Sequence, residues 1–471
     1  MAIGSFQKIE QQDTEAFAAI VGAEFVIQSA EGMESYSHDY TEDLHFVPDL
    51  VVKPANAQEI AAVMRHCHAR NIVVTPAGAR TGLSGGMLAV HGGLILATDR
   101  LNRILHIDER NLQVTTQPAV ITQVLQDAVA AVGLFYPVDP ASRGSCYIGG
   151  NIAENSGGLR AVKYGIVKDY VLDLEVVLPS GDIIRTGAKT LKNSTGYNLT
   201  QLMVGSEGTL GIVTEATLRL IPHPTHQMVM LAPFASAEQA CDAVSAIFRA
   251  GITPSALEFM EKEAIDLAQA FLGEFPFQTE GIEAQLLIEV DGNAPERIMS
   301  ECEAIYAVLS QFNSGEILLA ETAEEQNRLW KVRRTIGEAT RAGRMIKEED
   351  TVVPRAELAK LWTCIKTTAK KYEIEAFCFG HAGDGNLHVH IPRPKENVGD
   401  WAERTDKAVR EIFEYTVSLG GTLSGEHGIG LVQKEYMDIP FSNVELDLMK
   451  RIKEVFDPKG ILNPGKMFPG G

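Results

Sequence analysis

Glycine-rich segments recur beside strand and helix patterns in this chain, and they constrain its fold more than any other feature. They read TPAGARTGLSGG (75–86), PVDPASRGSCYIGGNIAENSGG (137–158) and GYNLTQLMVGSEGTLGIVTE (196–215), and a short C-terminal segment reads ILNPGKMF (461–468). Glycine reaches positive φ at little cost, so such a loop can turn successive backbone N–H groups toward one point and hold a pyrophosphate. Four such segments indicate a shared role rather than four independent turns.

The first loop matches neither of two common phosphate-binding signatures. Residues 75–86 lack the GxGxxG spacing of a dinucleotide fold and the GxxxxGK[ST] spacing of a Walker loop. Taken alone, this loop fits a mobile surface loop as well as a ligand cradle. The three further segments favour the cradle.

Length and charge limit the classes of protein to which the chain can belong. At 471 residues it exceeds the size at which one hydrophobic core stops growing, so we expect two domains. The hydrophobic share of 45% and the charged share of 22% are typical of a soluble globular protein. The net charge of -20 argues against nucleic acid or an anionic membrane as the main partner, because both favour a basic surface. A local group of Arg and Lys can still bind a small anion.

The cysteines and the apolar runs indicate the compartment. The 6 cysteines are scattered without a CxxC pair, which argues against a local iron–sulfur cluster, a zinc ribbon or a disulfide framework. The start of the chain has no basic segment followed by an apolar run, so we predict no secretory signal. No stretch approaches the roughly 20 apolar residues of a transmembrane helix. We therefore expect a soluble protein in the reducing cytoplasm.

The sequence texture changes near residue 222. Before it, short β-rich runs alternate with helical patterns and glycine-rich loops. After it, helical patterns such as ASAEQACDAVSAIFRAG (235–251) alternate with strand patterns such as AQLLIEVDG (284–292), and glycine becomes rarer. This pattern predicts a second, α+β domain built on an antiparallel sheet. The last fifty or so residues return to glycine-rich loops, and we expect them to pack against the first domain or the interface.

Three histidines lie close together in FCFGHAGDGNLHVHI (377–391). We predict a hairpin with its turn at 383–385, in which His388 and His390 share one face of their strand and His381 lies on the incoming arm. Such imidazoles can bind a borderline metal together with a carboxylate, and SGEHGIG supplies Glu426. The alternative is that these histidines are hydrogen-bonded core or surface residues.

The order of these segments resembles the FAD-binding domain of the vanillyl-alcohol-oxidase/p-cresol-methylhydroxylase (PCMH) flavoprotein superfamily. Within it, the chain is similar to the D-lactate dehydrogenases, the glycolate-oxidase flavoprotein subunit and the D-2-hydroxyglutarate dehydrogenases. The resemblance runs from about residue 48 to the C-terminus and rests on the segments PAGARTGLSGG, GSCYIGGNIAENSGGLRAVKYG, TGYNLTQLMVGSEGTLGIVTE, GHAGDGNLH, SGEHGIG and DPKGILNPGK.

The resemblance implies an α+β fold in three parts. These are a two-part PCMH-type FAD-binding domain over 1–222, a substrate (cap) domain with an antiparallel sheet over 223–420, and a C-terminal segment over 421–471. That last segment would return to the FAD domain and complete the active site and the flavin pocket.

The resemblance also implies residues that bind FAD. They form the pyrophosphate loop, the segment lining the flavin and its ribityl chain, a strand start near the adenosine half, and a closing contact to the flavin. They are Gly78, Ala79, Arg80, Thr81, Gly82, Leu83, Ser84, Pro137, Asp139, Gly149, Gly150, Asn151, Ala153, Asn155, Gly157, Gly158, Glu207, Gly211, Ile212 and Asn463. Some of these glycines are expected to serve a turn rather than a contact. Because residues 76–86 contain no His or Cys, we expect non-covalent FAD.

For the reaction, the resemblance implies a metal and a base. His381, His388 and Glu426 match the ligands of a divalent metal, zinc or manganese, and His427 matches the residue that takes the substrate's hydroxyl proton. Metal coordination of an α-hydroxy acid would lower the pKa of its hydroxyl, and a nearby His is then a competent base.

Cations near the substrate are expected on LWKVRRTIGEAT and MIKEEDTVVP. Arg333 matches the arginine for the substrate carboxylate, and its planar fork suits bidentate binding. Lys331 and Arg334 are equally well explained as solvated helix charges. Lys347 lies near the position of a second substrate cation.

The chain departs from the D-2-hydroxyglutarate enzymes at two positions. It has Gly337 in place of a Thr and His390 in place of an Asn. These departures weaken an assignment to that substrate, and they leave His390 as a substrate contact or as a partner of the metal ligands.

The implied activity is FAD-dependent oxidation of a D-2-hydroxy acid to the 2-oxo acid, with hydride transfer to flavin N5. D-lactate or a similar small acid is favoured, followed by glycolate and D-2-hydroxyglutarate. A quinone, an electron-transferring flavoprotein or an iron–sulfur subunit would accept the electrons, and a homodimer is left open. Two alternatives are a flavin enzyme without net redox, such as alkylglycerone-phosphate synthase, and a non-catalytic FAD-binding subunit.

Overall fold

The computed structural model describes residues 6–41, 43–396 and 399–470. Residues 1–5, part of the start in which we predict no secretory signal, lie outside these ranges. Within the described ranges, no helix combines the length and the apolar character needed to cross a membrane.

Helices account for much of the described chain, and several begin at strong sequence signals. The longest begins after Thr322, whose side chain and that of Glu325 form a reciprocal capping box. The helices are α1 Gln11–Val21, α2 Ala30–Glu34, α3 Ala57–Arg70, α4 Thr122–Ala130, α5 Ile148–Glu154, α6 Ala161–Tyr164, α7 Leu199–Met203, α8 Ala237–Arg249, α9 Lys262–Leu272, α10 Pro295–Leu309, α11 Ala323–Arg341, α12 Leu358–Lys371, α13 Trp401–Ser418 and α14 Asn443–Phe456.

Strands fall into an early group and a late group along the chain. The early strands are β1 Val26–Ile27, β2 Leu50–Val52, β3 Val74–Ala77, β4 Leu94–Ala97, β5 Ile104–Asp108, β6 Gln113–Thr116, β7 Leu134–Phe135, β8 Val171–Val177, β9 Ile183–Arg185, β10 Ile212–Arg219 and β11 Ile221–Pro222. The late strands are β12 His226–Phe234, β13 Ala256–Glu261, β14 Ala284–Gly292, β15 Leu318–Ala320, β16 Ile346–Val352, β17 Phe377–Gly380 and β18 Asn386–Pro392.

The early strands form two main sheets. The first has the order β1-β2-β4-β3, and its β2–β4 and β3–β4 pairs are parallel. The second has the order β5-β6-β10-β8-β9 with antiparallel pairing, and β7 and β11 form a separate two-stranded pair. β8 and β9 form an antiparallel hairpin whose turn contains Ser180 and Gly181.

The late strands form one antiparallel sheet in the order β15-β12-β14-β13-β17-β18-β16. The antiparallel sheet that the sequence predicts after residue 222 is therefore confirmed. One face packs against α8, α10, α12 and α13 through the largest hydrophobic core. The other face packs against α9 and α11 through a smaller core that includes Phe377 and Phe379.

The C-terminal residues return to the early sheets, as expected. Ile461 and Leu462 belong to the core of the first sheet, and Asn463 N–H donates to the Val74 carbonyl at 2.8 Å. Leu431 N–H donates to the Ser84 carbonyl at 2.7 Å. The segment after α13 thus bridges the late sheet and the glycine-rich loop at 78–84.

Candidate active site

The predicted hairpin at 377–391 exists, and it places its histidines on the sheet face that α11 covers. β17 and β18 pair antiparallel, with Phe379 opposite His388. On the other side of β18, Glu348 lies opposite His390 and Asp350 lies opposite His388. Directly opposed residues share a face, so two histidines and two carboxylates meet on one side of the sheet.

The three predicted metal ligands converge. His381 Nε2 lies 2.9 Å from Glu426 Oε1, and His388 Nε2 lies 3.6 Å from the same oxygen. All three donor atoms lie within 4.8 Å of one another. Burial raises the pKa of Glu426, but the nearby histidines outweigh it and lower the pKa to about 2. Two imidazole nitrogens and one ionised carboxylate are a donor set that suits zinc or manganese, so the residues present fit the implied metal.

A buried carboxylate holds the first of these ligands in orientation. Both oxygens of Glu258 lie about one hydrogen-bond length from His381 Nδ1, at 2.9 and 3.0 Å, which leaves Nε2 for the metal position. Arg333 Nε donates to the same carboxylate at 2.8 Å. Burial raises the pKa of Glu258, but His381 and Arg333 outweigh it and hold the pKa below its ordinary value.

Asp350 organises the loop that carries Glu426 and His427. Its Oδ2 accepts hydrogen bonds from the backbone N–H groups of Gly425, Glu426 and His427 at 2.8, 2.7 and 3.0 Å. Its Oδ1 lies 3.3 Å from His388 Nδ1. Burial raises the pKa of Asp350, yet the histidines and backbone donors outweigh it and hold the pKa far below its ordinary value. One ionised side chain therefore positions two ligands and the predicted base.

His427 lies beside the ligands and faces two carboxylates. Its ring stacks on that of His388, with centroids 5.0 Å apart and planes 6° apart. Its Nδ1 lies 3.9 Å from Glu348 Oε1 and 4.0 Å from Asp350 Oδ2. Burial lowers the pKa of His427, but Asp350, Glu348 and Glu426 outweigh it and raise the pKa. The ring is thereby a stronger proton acceptor than an isolated histidine.

His390 is fully buried and is not part of the trio. Its Nε2 lies 3.3 Å from Glu348 Oε1, and its ring meets Phe379 edge-on at 4.7 Å. Burial lowers the pKa of His390, which favours a neutral ring. Glu348 also forms an ion pair with Arg341 from the end of α11.

The predicted substrate cations take different positions. Arg333 is buried, and its guanidinium carbon lies 5.2 Å from the centroid of the Phe379 ring beside the ligands. Lys347 is not brought to the cluster: it alternates with Glu348 on β16, so it lies on the opposite face, 3.7 Å from Glu349. Lys331 pairs with Glu274 at the surface, and Arg334 pairs with Asp139 at 2.9 Å.

Part of the predicted FAD segment forms an open cradle. A Cβ at Gly150 would have no other atom within 4 Å, and at Gly78 and Gly82 the nearest atoms would be 3.9 and 3.7 Å away. Ser84 Oγ is buried and has no hydrogen-bond partner within the described part of the chain. Space above glycine backbone and an unpaired buried hydroxyl fit a bound cofactor.

The other predicted FAD residues mainly shape this cradle. Any Cβ would lie 2.5 Å from Pro118 at Gly149, 2.4 Å from Val176 at Gly211 and 2.3 Å from Asp139 O at Gly158, so these glycines serve close packing. The remaining positions lie in loops, in or beside α5, or at the start of a buried strand. They are Ala79, Arg80, Thr81, Leu83, Pro137, Asn151, Ala153, Asn155 and Ile212.

The cradle and the ligand cluster meet at the SGEHGIG loop. A Cβ at Gly157 would lie 3.0 Å from Glu426 Oε2. Glu207 accepts hydrogen bonds from the N–H groups of Ile429 and Gly430 at 2.7 and 2.6 Å, and its own carbonyl accepts one from Asn463 Nδ2 at 2.9 Å. The predicted FAD residues and the predicted metal ligands therefore line one region.

Sequence reasoning missed four residues of this region: Glu258, Arg341, Glu348 and Asp350. Three lie on strands: Glu258 in ALEFME, where two glutamates stand among apolar residues, and Glu348 and Asp350 in IKEED, where four charged residues follow one another. Charged residues within strands were the available signal, since buried charges require partners. Their partners come from distant parts of the chain, so the strand sequences alone could not name them.

Comparison with known proteins decides the family. Residues 223–467 match the family described as FAD linked oxidases, C-terminal domain, which is more than half of the chain. The chain belongs to the FAD-linked oxidases. Residues 48–187 of this FAD-linked oxidase also match a family described as FAD binding domain. It is therefore an FAD-linked oxidoreductase, and the predictions of an enzyme and of FAD as its cofactor are confirmed.

Relatives of this FAD-linked oxidase cover nearly its whole length. Glycolate oxidase subunit GlcD of Bacillus subtilis (strain 168) is 42% identical over 96% of this chain and 96% of its own. D-lactate dehydrogenase of Anaerostipes hadrus is 37% identical over 92% of this chain and 93% of its own.

The fold is shared with a solved p-cresol methylhydroxylase with substrate bound. The TM-score is 0.79 over 97% of this chain and 96% of that one, at 17% identity. At that identity the likeness concerns the fold alone. It confirms the predicted α+β, PCMH-type architecture of this FAD-linked oxidase.

Proposed function

We propose that this FAD-linked oxidase oxidises a D-2-hydroxy acid, D-lactate or a similar small acid, to the 2-oxo acid. The observation that carries the proposal is the convergence of His381, His388 and Glu426 beside His427, at the loop that also closes the FAD cradle. A site for metal-assisted deprotonation of a hydroxyl and a site for a redox cofactor would then serve one substrate.

His427 would act as the base. Its Nδ1 faces Glu348 and Asp350, so Nε2 is the nitrogen available to accept the substrate's hydroxyl proton. The same two carboxylates stabilise the imidazolium that this transfer creates. A Zn²⁺ or Mn²⁺ ion held by the three ligands would supply Lewis-acid polarisation of the hydroxyl and carboxylate oxygens. FAD would supply the acceptor for the hydrogen and electron pair on C2.

Arg333 would provide the cation for the substrate carboxylate. Glu258 accepts from its Nε at 2.8 Å and lies 2.5 Å from its Nη2, so Nη1 is the nitrogen that this carboxylate does not contact. The Glu258–Arg333 pair also fixes the position of this charge relative to His381. Binding and orientation by this arginine would place C2 and its hydroxyl at His427.

We further infer that the three segments of the chain have the separate roles that the sequence predicts. Residues 1–222 would hold FAD, 223–420 would bind the substrate, and 421–471 would complete both pockets. Electrons would leave to a quinone, an electron-transferring flavoprotein or an iron–sulfur subunit, and the enzyme would work in the cytoplasm, alone or as a homodimer. Mixing the substrate-reduced enzyme with each acceptor in turn, and following reoxidation of the flavin, tests which acceptor takes the electrons.

A single anaerobic experiment tests the reaction. The holoenzyme is mixed with D-lactate, glycolate, D-2-hydroxyglutarate or L-lactate, and bleaching of the flavin absorbance is followed. We expect fast bleaching by D-lactate, and loss of that bleaching after chelation with recovery on adding Zn²⁺ or Mn²⁺. If no 2-hydroxy acid bleaches the flavin with metal supplied, the proposal is wrong. A flavin enzyme without net redox, or a non-catalytic FAD subunit, would then fit better.

A further inference from the structure

The end of α11 reaches the ligand cluster through Arg341, which pairs with Glu348 beside His427. Gly337 and Arg341 follow Arg333 at steps of four residues, so the three positions lie on one stripe of the helix. A Cβ at Gly337 would meet a single neighbour, Arg341 Nη1, at 3.5 Å. The guanidinium of Arg341 thus limits the space that Gly337 leaves free.

Two contacts hold that guanidinium in place. Arg341 Nη1 donates to the Gly337 carbonyl at 3.0 Å, and Nη2 forms an ion pair with Glu348. Glu348 reaches toward the predicted base, because its Oε1 lies 3.9 Å from His427 Nδ1. The side chain of Arg341 keeps 30% of its surface exposed, and that of Glu348 keeps 10%. Arg341 and Glu348 therefore place two opposite charges, which compensate each other, next to the predicted base.

We propose that the Arg341–Glu348 ion pair is the specificity determinant of this site, restricting it to 2-hydroxy acids with a short, uncharged side chain and disfavouring a second carboxylate. The inference rests on the proposed function and names the substrate class of that same site.

The physical reason is that the charges of Arg341 and Glu348 balance each other. A second carboxylate that enters beside Arg341 loses its water, and it meets a cation whose charge Glu348 already compensates. An uncharged methyl or hydrogen on C2 has no charge to desolvate and avoids this cost. Removing either member of the pair should therefore change the preference in opposite directions.

The test compares D-lactate with D-malate. D-malate is the same 2-hydroxy acid with a carboxylate in place of one hydrogen of the methyl group. Glu348→Gln leaves the cation uncompensated, and we expect the ratio of kcat/KM for D-malate to that for D-lactate to rise about tenfold or more. Arg341→Gln leaves the anion uncompensated, and we expect the ratio to fall by a similar factor. A loss of proton transfer through His427 affects both acids equally and cancels in the ratio.

Matched controls come from a surface ion pair that α11 makes through Lys331. Lys331 and Glu274 form an ion pair of 2.7 Å at the surface, so Glu274→Gln and Lys331→Gln remove the same charges away from the site. Both should leave the ratio within about twofold of wild type. Bound FAD and the melting temperature show which variants are folded. If Glu348→Gln loses FAD, the Arg341→Gln variant with Arg341→Lys as its charge-retaining partner decides the question.

Several results would overturn the inference while the proposed function stands. These are a wild-type ratio near one, a shift of both variants in the same direction, or no shift in either variant. Absence of flavin bleaching by every 2-hydroxy acid would instead remove the proposed function itself.

Discussion

Asp350 holds the backbone of the residue that supplies the carboxylate ligand: its Oδ2 accepts a hydrogen bond from the Glu426 N–H at 2.7 Å. The same carboxylate approaches the ring of the second histidine ligand, with Oδ1 3.3 Å from His388 Nδ1. One side chain on β16 thus couples a loop at the C-terminal end of the chain to a strand of the late sheet.

The first prediction concerns this coupling. Asp350→Asn replaces one acceptor oxygen by a donor amide, so part of the hydrogen bonding to the 425–427 loop is lost. We expect metal affinity to fall about 10- to 100-fold. The measurement is metal content by mass spectrometry after dialysis at fixed free Zn²⁺. Asp406→Asn, an exposed carboxylate on α13, is the control, and equal metal content in the two variants would contradict the role of Asp350.

The second prediction concerns the base. His427→Ala should retain FAD and metal, because the histidine is not one of the three ligands. We expect the rate of flavin reduction by the substrate to fall about 10²- to 10⁴-fold, the usual contribution of general base catalysis. Stopped-flow absorbance without oxygen measures this rate. His106→Ala, at an exposed position of β5, should behave as wild type. Near-normal reduction in His427→Ala would exclude this residue as the base.

The third prediction separates two adjacent glycines. Gly150→Leu places a side chain in open space, so we expect a folded protein that has lost FAD. Gly149→Leu forces a Cβ to within 2.5 Å of Pro118, so we expect a poorly folded or unstable protein. Flavin content and thermal unfolding of the two purified variants check both statements. Retention of FAD by Gly150→Leu would show that the cofactor does not occupy this space.

The fourth prediction concerns pH and the contact between α11 and the 137–158 segment. Asp139 is buried and accepts from Arg334 and Arg143 at 2.9 Å each. Burial raises the pKa of Asp139, but these arginines outweigh it and hold the pKa below the ordinary value of 3.8. Because the folded pKa is the lower one, the stabilisation is complete above the unfolded value and is lost as the pH falls through the folded pKa.

Asp139→Asn should therefore be less stable than wild type at pH 7, by about 1–3 kcal/mol in the free energy of unfolding. The difference should shrink once the pH falls below 3.8, because the carboxylate is then protonated first in the unfolded chain and, at lower pH, in the folded protein as well. Denaturation curves of both proteins between pH 3 and pH 7 measure it. A difference that is constant over this range would show that the charge of Asp139 is not the source of the stabilisation.

Sequence patterns were sufficient for local features whose signals lie within a few residues. The hairpin around His381 and His388, the long helix with Arg333 and the antiparallel character of the late sheet all follow from periodicity, turn residues and caps. The resemblance of whole segments added the FAD cofactor and the trio of candidate ligands, because those residues keep their spacing in the chain.

Other features depended on contacts between distant segments. Nothing local distinguishes Gly150, which faces open space, from Gly149, which packs against Pro118. The register of β16 with β18 decides that Glu348 and Asp350 face the histidines and that Lys347 lies on the other side of the sheet. A shift of one residue would reverse that assignment, and no signal within IKEED selects between the two registers.

The sequence by itself determined the class of the protein: its sheet-and-helix composition, its glycine cradle and its set of imidazole and carboxylate side chains. Only the tertiary structure decided how those side chains are held. Glu258 meets His381 across 123 positions of chain, and Asp350 meets Glu426 across 76. The reason is physical: a buried charge requires a partner, and which partner reaches it depends on the packing of the sheet, the helix and the returning C-terminal loop.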